Sequence, residues 1–204
     1  MSDIRVVCFD LGGVLLRIRH SWAEVLEFMG QQNPVEVDGG LAHYVPLSEY
    51  QAGVLSEDDY LACVAGDLNL DVEGARRAHG LILREEYDGA RELVQSCLKS
   101  GREVYCLSNT NELHYREFFN GRFPVCEAFT ELLASHRIRH SKPDEAAFRI
   151  VEDRSGHAGE EIVFFDDSMV NVEAARRIGW VAECVDPRDP IDPMRQHLKR
   201  LGVL

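Results

Sequence analysis

The sequence predicts an α/β fold, a doubly wound parallel sheet with a small all-helical insertion after the first strand. Several short apolar runs lack the alternation of a half-exposed strand, which is typical of strands covered on both faces. Helical patterns lie between these runs from residue 90 onward, and such a strand–helix repeat favours a doubly wound sheet. The predicted strands are Ile4–Phe9, Val104–Leu107, Leu132–Ala134, Ile162–Phe165 and Trp180–Val185.

Three helices are predicted between the later strands. Arg91–Ser100 has one apolar face and stops at Gly101, a residue suited to the end of a helix. Pro143–Arg154 begins with proline and acidic residues, as a helix N-terminus should. Ser168–Ile178 starts on a capping-type serine and ends at Gly179. These signals place one helix ahead of the strand Val104–Leu107 and one on either side of the strand Ile162–Phe165.

Residues 17–88 interrupt this rhythm and show helical patterns only. Ser56 and Asp59 form a capping box ahead of one of these helices. We therefore expect a core of residues 1–16 and 89–204 and a helical cap of residues 17–88, placed over the strand ends as a lid. The apolar stripes of the cap are Trp22, Val25, Leu26 and Met29, and Tyr60, Leu61, Val64 and Leu68.

Composition limits the classes of function. The chain has 204 residues, of which 45% are hydrophobic, enough for one domain with an insertion. Its formal net charge of −13 argues against nucleic acid or an anionic membrane as a main partner. No stretch approaches the roughly 18–20 apolar residues of a membrane span, and the start MSDIRVV lacks a signal-peptide layout. Six scattered cysteines without CxxC pairs indicate reduced thiols, so we expect a cytoplasmic protein.

Four groups of polar residues fall at predicted strand ends, where open parallel sheets bind ligands. Asp10 follows the first strand, Ser108–Thr110 follows the second, Lys142 precedes a helix, and Asp166 and Asp167 follow a fourth strand. A carboxylate, a hydroxyl with backbone amides, an ammonium and two further carboxylates would meet in one crevice. This set suits phosphoryl transfer at a magnesium site.

The motifs FDLGGVL, LSNTN, SKPDEAAF and FFDDSMVN, in this order, resemble the four motifs of the haloacid dehalogenase (HAD) superfamily. The resemblance spans nearly the whole chain, and the insertion is placed like the helical type-one cap of that family. Within the superfamily the motifs are most similar to those of small sugar-phosphate phosphatases, particularly the α-glucose-1-phosphate phosphatase group. The resemblance implies a Mg²⁺-dependent phosphatase acting on a small phosphorylated metabolite, with a sugar phosphate as the expected substrate.

The resemblance also implies roles for the residues that face the phosphate. Asp10 would be the nucleophile that forms an aspartyl-phosphate, and it would also ligate Mg²⁺. Ser108 and the amide of Asn109 would bind phosphoryl oxygens, and Lys142 would neutralise charge between nucleophile and phosphate. Such screening is needed because two unit charges 4 Å apart repel by roughly 4 kcal/mol at an effective dielectric of 20.

The remaining roles concern the metal. The resemblance implies that Gly12 offers its backbone carbonyl to Mg²⁺, a role that needs no side chain. Asp167 would ligate Mg²⁺ directly, and Asp166 would assist through water or by direct contact. Ser168 and Asn171 would complete this loop. Nothing in these motifs indicates the oligomeric state.

Gly12 departs from the pattern of most phosphatases in the superfamily, which carry aspartate at this position. That aspartate protonates the leaving oxygen and then activates water, and such help is worth typically 10² to 10⁴-fold. Its absence matters less where the leaving group is already acidic. A water or a cap residue could substitute, and Tyr44, His43, Glu49 and Tyr50 are candidates by location alone.

Two other functions use the same motifs. In a 2-haloacid dehalogenase the aspartate attacks carbon and displaces halide, and those relatives also lack the acid two residues further on. The acidic FFDD motif argues against this alternative, because a metal-free site gains nothing from two uncompensated acids. A degenerate HAD domain serving as a binding module is the third possibility, and the intact nucleophile, lysine and acid pair argue against it.

Overall fold

The computed structural model describes residues 3–31 and 40–204 of the chain. Within these residues, five strands form a parallel sheet in the order β5-β4-β1-β6-β7. This arrangement confirms the doubly wound α/β class. The order reverses at the central strand β1, and such a point places a ligand crevice at the carboxyl ends of the strands. The strands are β1 Val6–Phe9, β2 Leu16–Ile18, β3 Leu83–Glu86, β4 Glu103–Ser108, β5 Glu131–Ala134, β6 Ile162–Asp166 and β7 Val181–Cys184.

The central strand is buried on both faces. Val7 and Phe9 pack into one hydrophobic cluster, whereas Val6 and Cys8 pack into a second cluster on the opposite face of the sheet. All four are fully buried. Successive side chains of a strand point to opposite faces, so a strand covered by helices on both sides needs apolar residues throughout. This explains the continuous apolar run of the first strand.

The helices predicted between the later strands are present, with ends shifted by one or two residues. Ser168 stands at the N-cap of its helix, but its side chain makes no capping hydrogen bond. None of the helices in the described ranges is both long and apolar enough to cross a membrane. The α-helices are α1 Trp22–Phe28, α2 Val45–Gln51, α3 Glu57–Leu68, α4 Val72–Gly80, α5 Ala90–Lys99, α6 Glu112–Phe118, α7 Ser135–Ile138, α8 Glu145–Ser155, α9 Met169–Arg177 and α10 Ile191–Arg200.

Residues 17–88 are not helical throughout, so that part of the prediction was wrong. The strands β2 and β3 form an antiparallel pair in which Leu16 lies opposite Glu86 and Ile18 lies opposite Leu83. Strands of three and four residues are too short for alternation to separate them from loop or helix. The pair joins the two ends of the insertion to each other.

Between these two strands, helices α1 to α4 (the helical segment) have a hydrophobic cluster of their own. Ser56 caps α3, because its hydroxyl accepts a hydrogen bond from the backbone N–H of Asp59 at 3.1 Å. This separate cluster supports the predicted division of the chain into core and cap, which stays a prediction. The apolar stripes identified in the sequence are part of this cluster, including Trp22, Val25, Leu26, Tyr60, Leu61, Val64 and Leu68.

Candidate active site

Asp10 leaves the sheet directly after β1, beside the end of β6. Phe9 and Phe165 are partners in the parallel register, and the backbone N–H of Asp10 donates to the Phe165 carbonyl at 2.8 Å. The carboxylates of Asp10 and Asp166 therefore emerge from neighbouring strands. The side chain of Asp10 retains 14% exposure, enough for a carboxylate oxygen to meet a ligand.

Lys142 lies between these two carboxylates. Its Nζ is 2.8 Å from Oδ1 of Asp10 and 2.7 Å from Oδ2 of Asp166, and its side chain is only 1% exposed. Burial alone would lower the pKa of Lys142, but the two carboxylates outweigh it and the pKa lies above its usual value. The ammonium is thus held in its charged form next to the predicted nucleophile.

Asp166 is fully buried and engaged by several donors. Besides Lys142, it accepts hydrogen bonds from the backbone N–H of Ser168 at 2.8 Å and from Nδ2 of Asn171 at 3.0 Å. A carboxylate held in this way orients the lysine. Ser168 and Asn171 therefore complete the loop by holding Asp166.

Asn109 ties the loop after β4 to the backbone of Lys142. Its Nδ2 donates to the Lys142 carbonyl at 2.8 Å, and its Oδ1 accepts from the Lys142 backbone N–H at 2.8 Å. Ser108 is the last residue of β4 and lines the same cavity as Asp10. The predicted phosphate-binding residues and the lysine are therefore joined into one unit.

Thr110 follows in that loop, and its backbone is occupied. Its N–H donates to Oγ of Ser135 at 2.9 Å, and its carbonyl lies within hydrogen-bond distance of both Ser135 and His136. The Thr110 hydroxyl is buried, and no partner for it lies among the described residues. Thr110 also lines the cavity, as expected for the segment Ser108–Thr110.

Asp10, Asp166 and Asp167 each offer a carboxylate oxygen, and these three oxygens lie within 4.8 Å of one another. Three carboxylates against the single ammonium of Lys142 leave a local formal charge of −3 + 1 = −2. A divalent cation would cancel this charge, and clustered carboxylate oxygens are the ligands that Mg²⁺ prefers. The donor set present therefore fits a magnesium ion.

Burial and mutual repulsion both raise the pKa values of the clustered carboxyl groups. Burial raises the pKa of the Asp10 carboxyl to about 7, the charges of Asp166 and Asp167 add to the rise, and Lys142 opposes it. Burial and Asp166 likewise raise the pKa of Asp167. Desolvated like charges disfavour ionisation, so a bound cation would relieve both effects.

The two glycines after Asp10 serve different purposes. Gly13 has a φ of +74°, and a Cβ there would collide with the Asp167 carboxylate, so the turn requires glycine. Gly12 lines the cavity, and a Cβ at this position would lie 3.3 Å from Cδ1 of Ile18. The space beside position 12 is thus occupied by an apolar side chain from β2. The proposed metal contact of the Gly12 carbonyl stays a prediction.

The four cap residues suggested as substitutes for the missing acid are not placed for that role. Tyr44 donates to Asp67 at 2.7 Å and Tyr50 lies 3.5 Å from a Glu57 oxygen, both within the helical segment. None of the four is among the residues that line the cavity in the described part of the chain. Their location in the sequence was therefore a misleading guide. These four are Tyr44, His43, Glu49 and Tyr50.

The predicted site residues meet around one cavity of about 330 Å³. Asp166 is the exception, because it does not line the cavity but lies behind its wall, where it contacts Lys142. The other side of the cavity is formed by β2, β3, α2 and neighbouring loops. The predicted residues that line it are Asp10, Gly12, Ser108, Asn109, Lys142, Asp167, Ser168 and Asn171.

A buried polar chain beside the cavity was missed. Tyr60 donates to Nδ1 of His79 at 2.8 Å, and Nε2 of His79 lies 3.0 Å from Oδ1 of Asn111. The His79 and His114 rings stack with centroids 4.0 Å apart, and Nε2 of His114 donates to the His79 carbonyl at 3.1 Å. His114 lies three residues after the LSNTN motif, but only the fold brings α3 and α4 to it.

The site as built defines a class: a doubly wound α/β protein with a carboxylate, a lysine and a cluster of acids at the carboxyl edge of its sheet. A family model described as "Hydrolase: haloacid dehalogenase-like hydrolase" matches residues 4–179. The chain therefore belongs to the haloacid dehalogenase-like hydrolases.

Individual relatives are distant. The chain is 26% identical over 198 residues to Phosphatase MT3486 of Mycobacterium tuberculosis, covering 90% of this chain and 88% of that protein. It is 24% identical over 195 residues to Drimenol cyclase drtB of Aspergillus calidoustus, covering 92% of this chain but only 35% of that protein's length. The structure is similar to that of HAD family enzyme bt-2542 of Bacteroides thetaiotaomicron in complex with magnesium and inorganic phosphate. That comparison has a TM-score of 0.75 and 23% identity and covers 91% and 96% of the two chains, so it shows the fold.

Proposed function

We propose that this protein is a Mg²⁺-dependent phosphomonoesterase that acts on a small phosphorylated metabolite through Asp10. The observation that carries the proposal is the contact of Lys142 with both Asp10 and Asp166, next to a three-carboxylate cluster. A buried cation beside a partly exposed carboxylate lets that carboxylate approach a phosphate dianion. The name of the relative from M. tuberculosis and the magnesium and phosphate complex of bt-2542 agree with this chemistry.

In the first step, a carboxylate oxygen of Asp10 attacks phosphorus and the bond from phosphorus to the alcohol oxygen breaks. The leaving alkoxide takes its proton from water, because position 12 carries no acid. Lys142, Ser108 and the backbone N–H of Asn109 bind the phosphoryl oxygens during the transfer. Water then attacks phosphorus of the aspartyl-phosphate, which releases inorganic phosphate and restores the carboxylate.

Asp10, Asp167 and the Gly12 carbonyl would hold Mg²⁺. When bound, the ion would neutralise charge on the transferring phosphoryl group. Asp166 would keep Lys142 in place and add negative charge behind the metal. The position of Lys142 between two carboxylates keeps the ammonium from drifting toward solvent when the substrate is absent.

A dehalogenase is the less favoured alternative. The substrate of a dehalogenase carries a carboxylate and reacts at a carbon atom. One positively charged group is enough to bind that carboxylate, so the site needs no metal ion. The site of this chain carries a local charge of −2, which would repel a haloacid unless a metal ion were bound. The acid cluster thus supports phosphoryl transfer.

Which metabolite is hydrolysed is a finer question. The motif resemblance implies a sugar phosphate such as a hexose 1-phosphate. The absence of an acid at Gly12 agrees with leaving groups that are acidic already, among them anomeric oxygens. Sugar phosphates therefore belong in the first substrate panel.

The test is phosphate release from sugar-1-phosphates, sugar-6-phosphates, nucleotides, acetyl phosphate and p-nitrophenyl phosphate, each with Mg²⁺ and with EDTA. Asp10→Asn should lower turnover on the order of 10⁶-fold, as loss of a nucleophile does. Asp153→Asn, an exposed carboxylate on α8, is the matched control and should be unaffected. No release from any substrate would refute the phosphatase, and halide release from haloacids or phosphate binding without turnover would then identify the alternatives.

A further inference from the structure

The cavity that contains Asp10 has two chemically different ends. The end at the sheet edge carries the charged residues Asp10, Lys142 and Asp167. The opposite end is apolar and is built from β2, β3, α2 and α6. Its side chains are mostly buried and include Leu16, Ile18, Leu47, Ile82, Leu83 and Phe118.

Some polar side chains around the apolar end are engaged by the protein itself. Arg19, Ser48 and His114 each direct a donor to a backbone carbonyl, at 2.5 Å, 3.1 Å and 3.1 Å respectively. His20 is exposed at the rim, and Gln51 is half-buried. Arg19 keeps further guanidinium N–H groups beyond this bond. The side chains of Leu47, Ile82 and Phe118, in contrast, offer no partner to a substrate hydroxyl placed against them.

Thr110 lines the deep part of the cavity but adds no open hydroxyl to it. Its hydroxyl is buried, has no partner among the described residues, and lies two residues beyond Ser108 in the predicted phosphate-binding loop. Because less than 1 Å² of the hydroxyl oxygen is exposed, a substrate in the cavity does not reach it. Ile18 meanwhile fills the space beside Gly12, so the apolar wall reaches the loop that carries Asp10.

We propose that the alcohol part of the substrate is compact and largely apolar, and that it is not a polyhydroxylated sugar. This inference rests on the proposed phosphatase function and names its substrate class. An apolar alcohol gains by leaving water for the wall of Leu47, Ile82 and Phe118. A sugar hydroxyl in the same place would lose its water partners and gain none.

A matched pair of substrates tests this inference. Glucose 6-phosphate and cyclohexylmethyl phosphate share a six-membered ring and a primary phosphate ester, but differ in hydroxyls. An apolar pocket disfavours an isostere with one added hydroxyl by about 10²-fold. We therefore expect kcat/KM with Mg²⁺ to be at least about 10²-fold higher for cyclohexylmethyl phosphate.

The outcomes distinguish failure of this inference from failure of the proposed phosphatase function. Equal or higher kcat/KM for glucose 6-phosphate overturns the inference alone, and so does cleavage of p-nitrophenyl phosphate with neither ring phosphate cleaved. No phosphate release from any of the three overturns the proposed function, and the inference with it.

Two variants of the wall provide a second test. Leu47→Asn and Ile18→Thr should each lower the preference for cyclohexylmethyl phosphate by about tenfold, since each puts a polar group into the apolar end. Ile18 is only partly buried, so its variant is expected to fold even if that of Leu47 is unstable. Val54→Asn, at a position 72% exposed, is the control. An unchanged preference in a folded wall variant contradicts the inference.

Discussion

The charged end of the cavity and its apolar end are built by different parts of the chain and are held together by different forces. The ends of β1, β4 and β6 and the loop between α7 and α8 form the charged end. Hydrogen bonds and ion pairs fix Asp10, Lys142 and Asp166 there. The strand pair β2–β3 and helix α2 form the apolar end, where packing decides position. The charged residues thus lie at the sheet edge, whereas much of the apolar lining comes from β2, β3 and α2.

The charged end is costly to fold. Three carboxylates gathered around one ammonium, without a cation, oppose each other in a buried setting. The apolar end stabilises the folded state by burial alone. We therefore expect substitutions at the charged end to have large effects on turnover and mixed effects on stability, and those at the apolar end to act mainly on substrate choice.

The largest effect that distinguishes the two ends is expected from Lys142→Met. This change removes the positive charge next to the phosphate and should lower kcat on the order of 10³-fold. It also leaves Asp166 buried without its charged partner, and breaking a buried pair typically costs about 3–5 kcal/mol. Phosphate release and urea unfolding of the same preparations measure both effects.

Lys99→Met is the matched control, since Lys99 is an exposed residue on α5. It should alter neither kcat nor the unfolding midpoint. A Lys142→Met protein that retains near-normal turnover would show that the ammonium does not face the transferred phosphoryl group, and would remove the main support for the proposed site.

Much of the charged end was predictable because strand topology determines it. A residue that directly follows a parallel strand lies at the carboxyl edge of the sheet, so Asp10, Ser108 and Asp167 could be placed together from sequence order alone. The role of Asp166 in holding Lys142 was harder to predict, because adjacent carboxylates look alike in a sequence. Only the register of β6 shows which one is buried.

The apolar end could not be predicted in the same way. Ile18 and Leu83 belong to strands too short to give a period, and they meet only because β2 pairs with β3. Tyr44 and Tyr50 looked suitable for the cavity because they lie in the insertion, yet both side chains pack inside its own cluster. Apolar periodicity identifies a buried face but does not tell which element buries it.

Position 12 lies where the charged end of the cavity meets the apolar end, so a substitution there affects both. Gly12→Asp combined with Ile18→Val, which removes the Cδ1 atom nearest to the new Cβ, would place a carboxyl group beside Asp10. We expect hydrolysis of alkyl phosphates to rise by about 10²-fold, the lower end of the range for general acid help. Aryl phosphates, whose leaving groups need less protonation, should change little. Steady-state kinetics on one alkyl and one aryl phosphate measure this.

Two reference proteins are needed for that comparison. Ile18→Val alone accounts for the altered wall, and Gly66→Asp adds a carboxylate at an exposed helical glycine with open space around it. An equal gain for alkyl and aryl phosphates would contradict an acid role for the new side chain. It would indicate instead that the substitution changes substrate binding.

The smallest expected effect per pH unit is a difference in how the free energy of unfolding depends on pH, which is opposite in sign for Asp10 at the sheet edge and for His114 at the junction with the helical segment. Burial raises the Asp10 pKa from an ordinary 3.8 to about 7 in the folded protein. Between these pH values the folded state binds the proton more tightly than the unfolded state, so Asp10 lowers stability as pH rises. Burial lowers the His114 pKa from 6.5 to about 4, so the unfolded state takes up the proton first and stability falls as pH drops through that window.

Two variants separate these opposing contributions when unfolding is measured in EDTA from pH 4 to pH 8. Asp10→Asn should become more stable relative to wild type as pH rises toward 7. His114→Gln keeps a donor for the His79 carbonyl but does not titrate, and it should lose less stability than wild type between pH 6.5 and pH 4. One fully linked proton changes the free energy of unfolding by about 1.4 kcal/mol per pH unit. Curves parallel to wild type would mean that these groups titrate alike in the folded and unfolded states. Water would then reach the charged end well enough for its carboxylates to be ionised together without a cation.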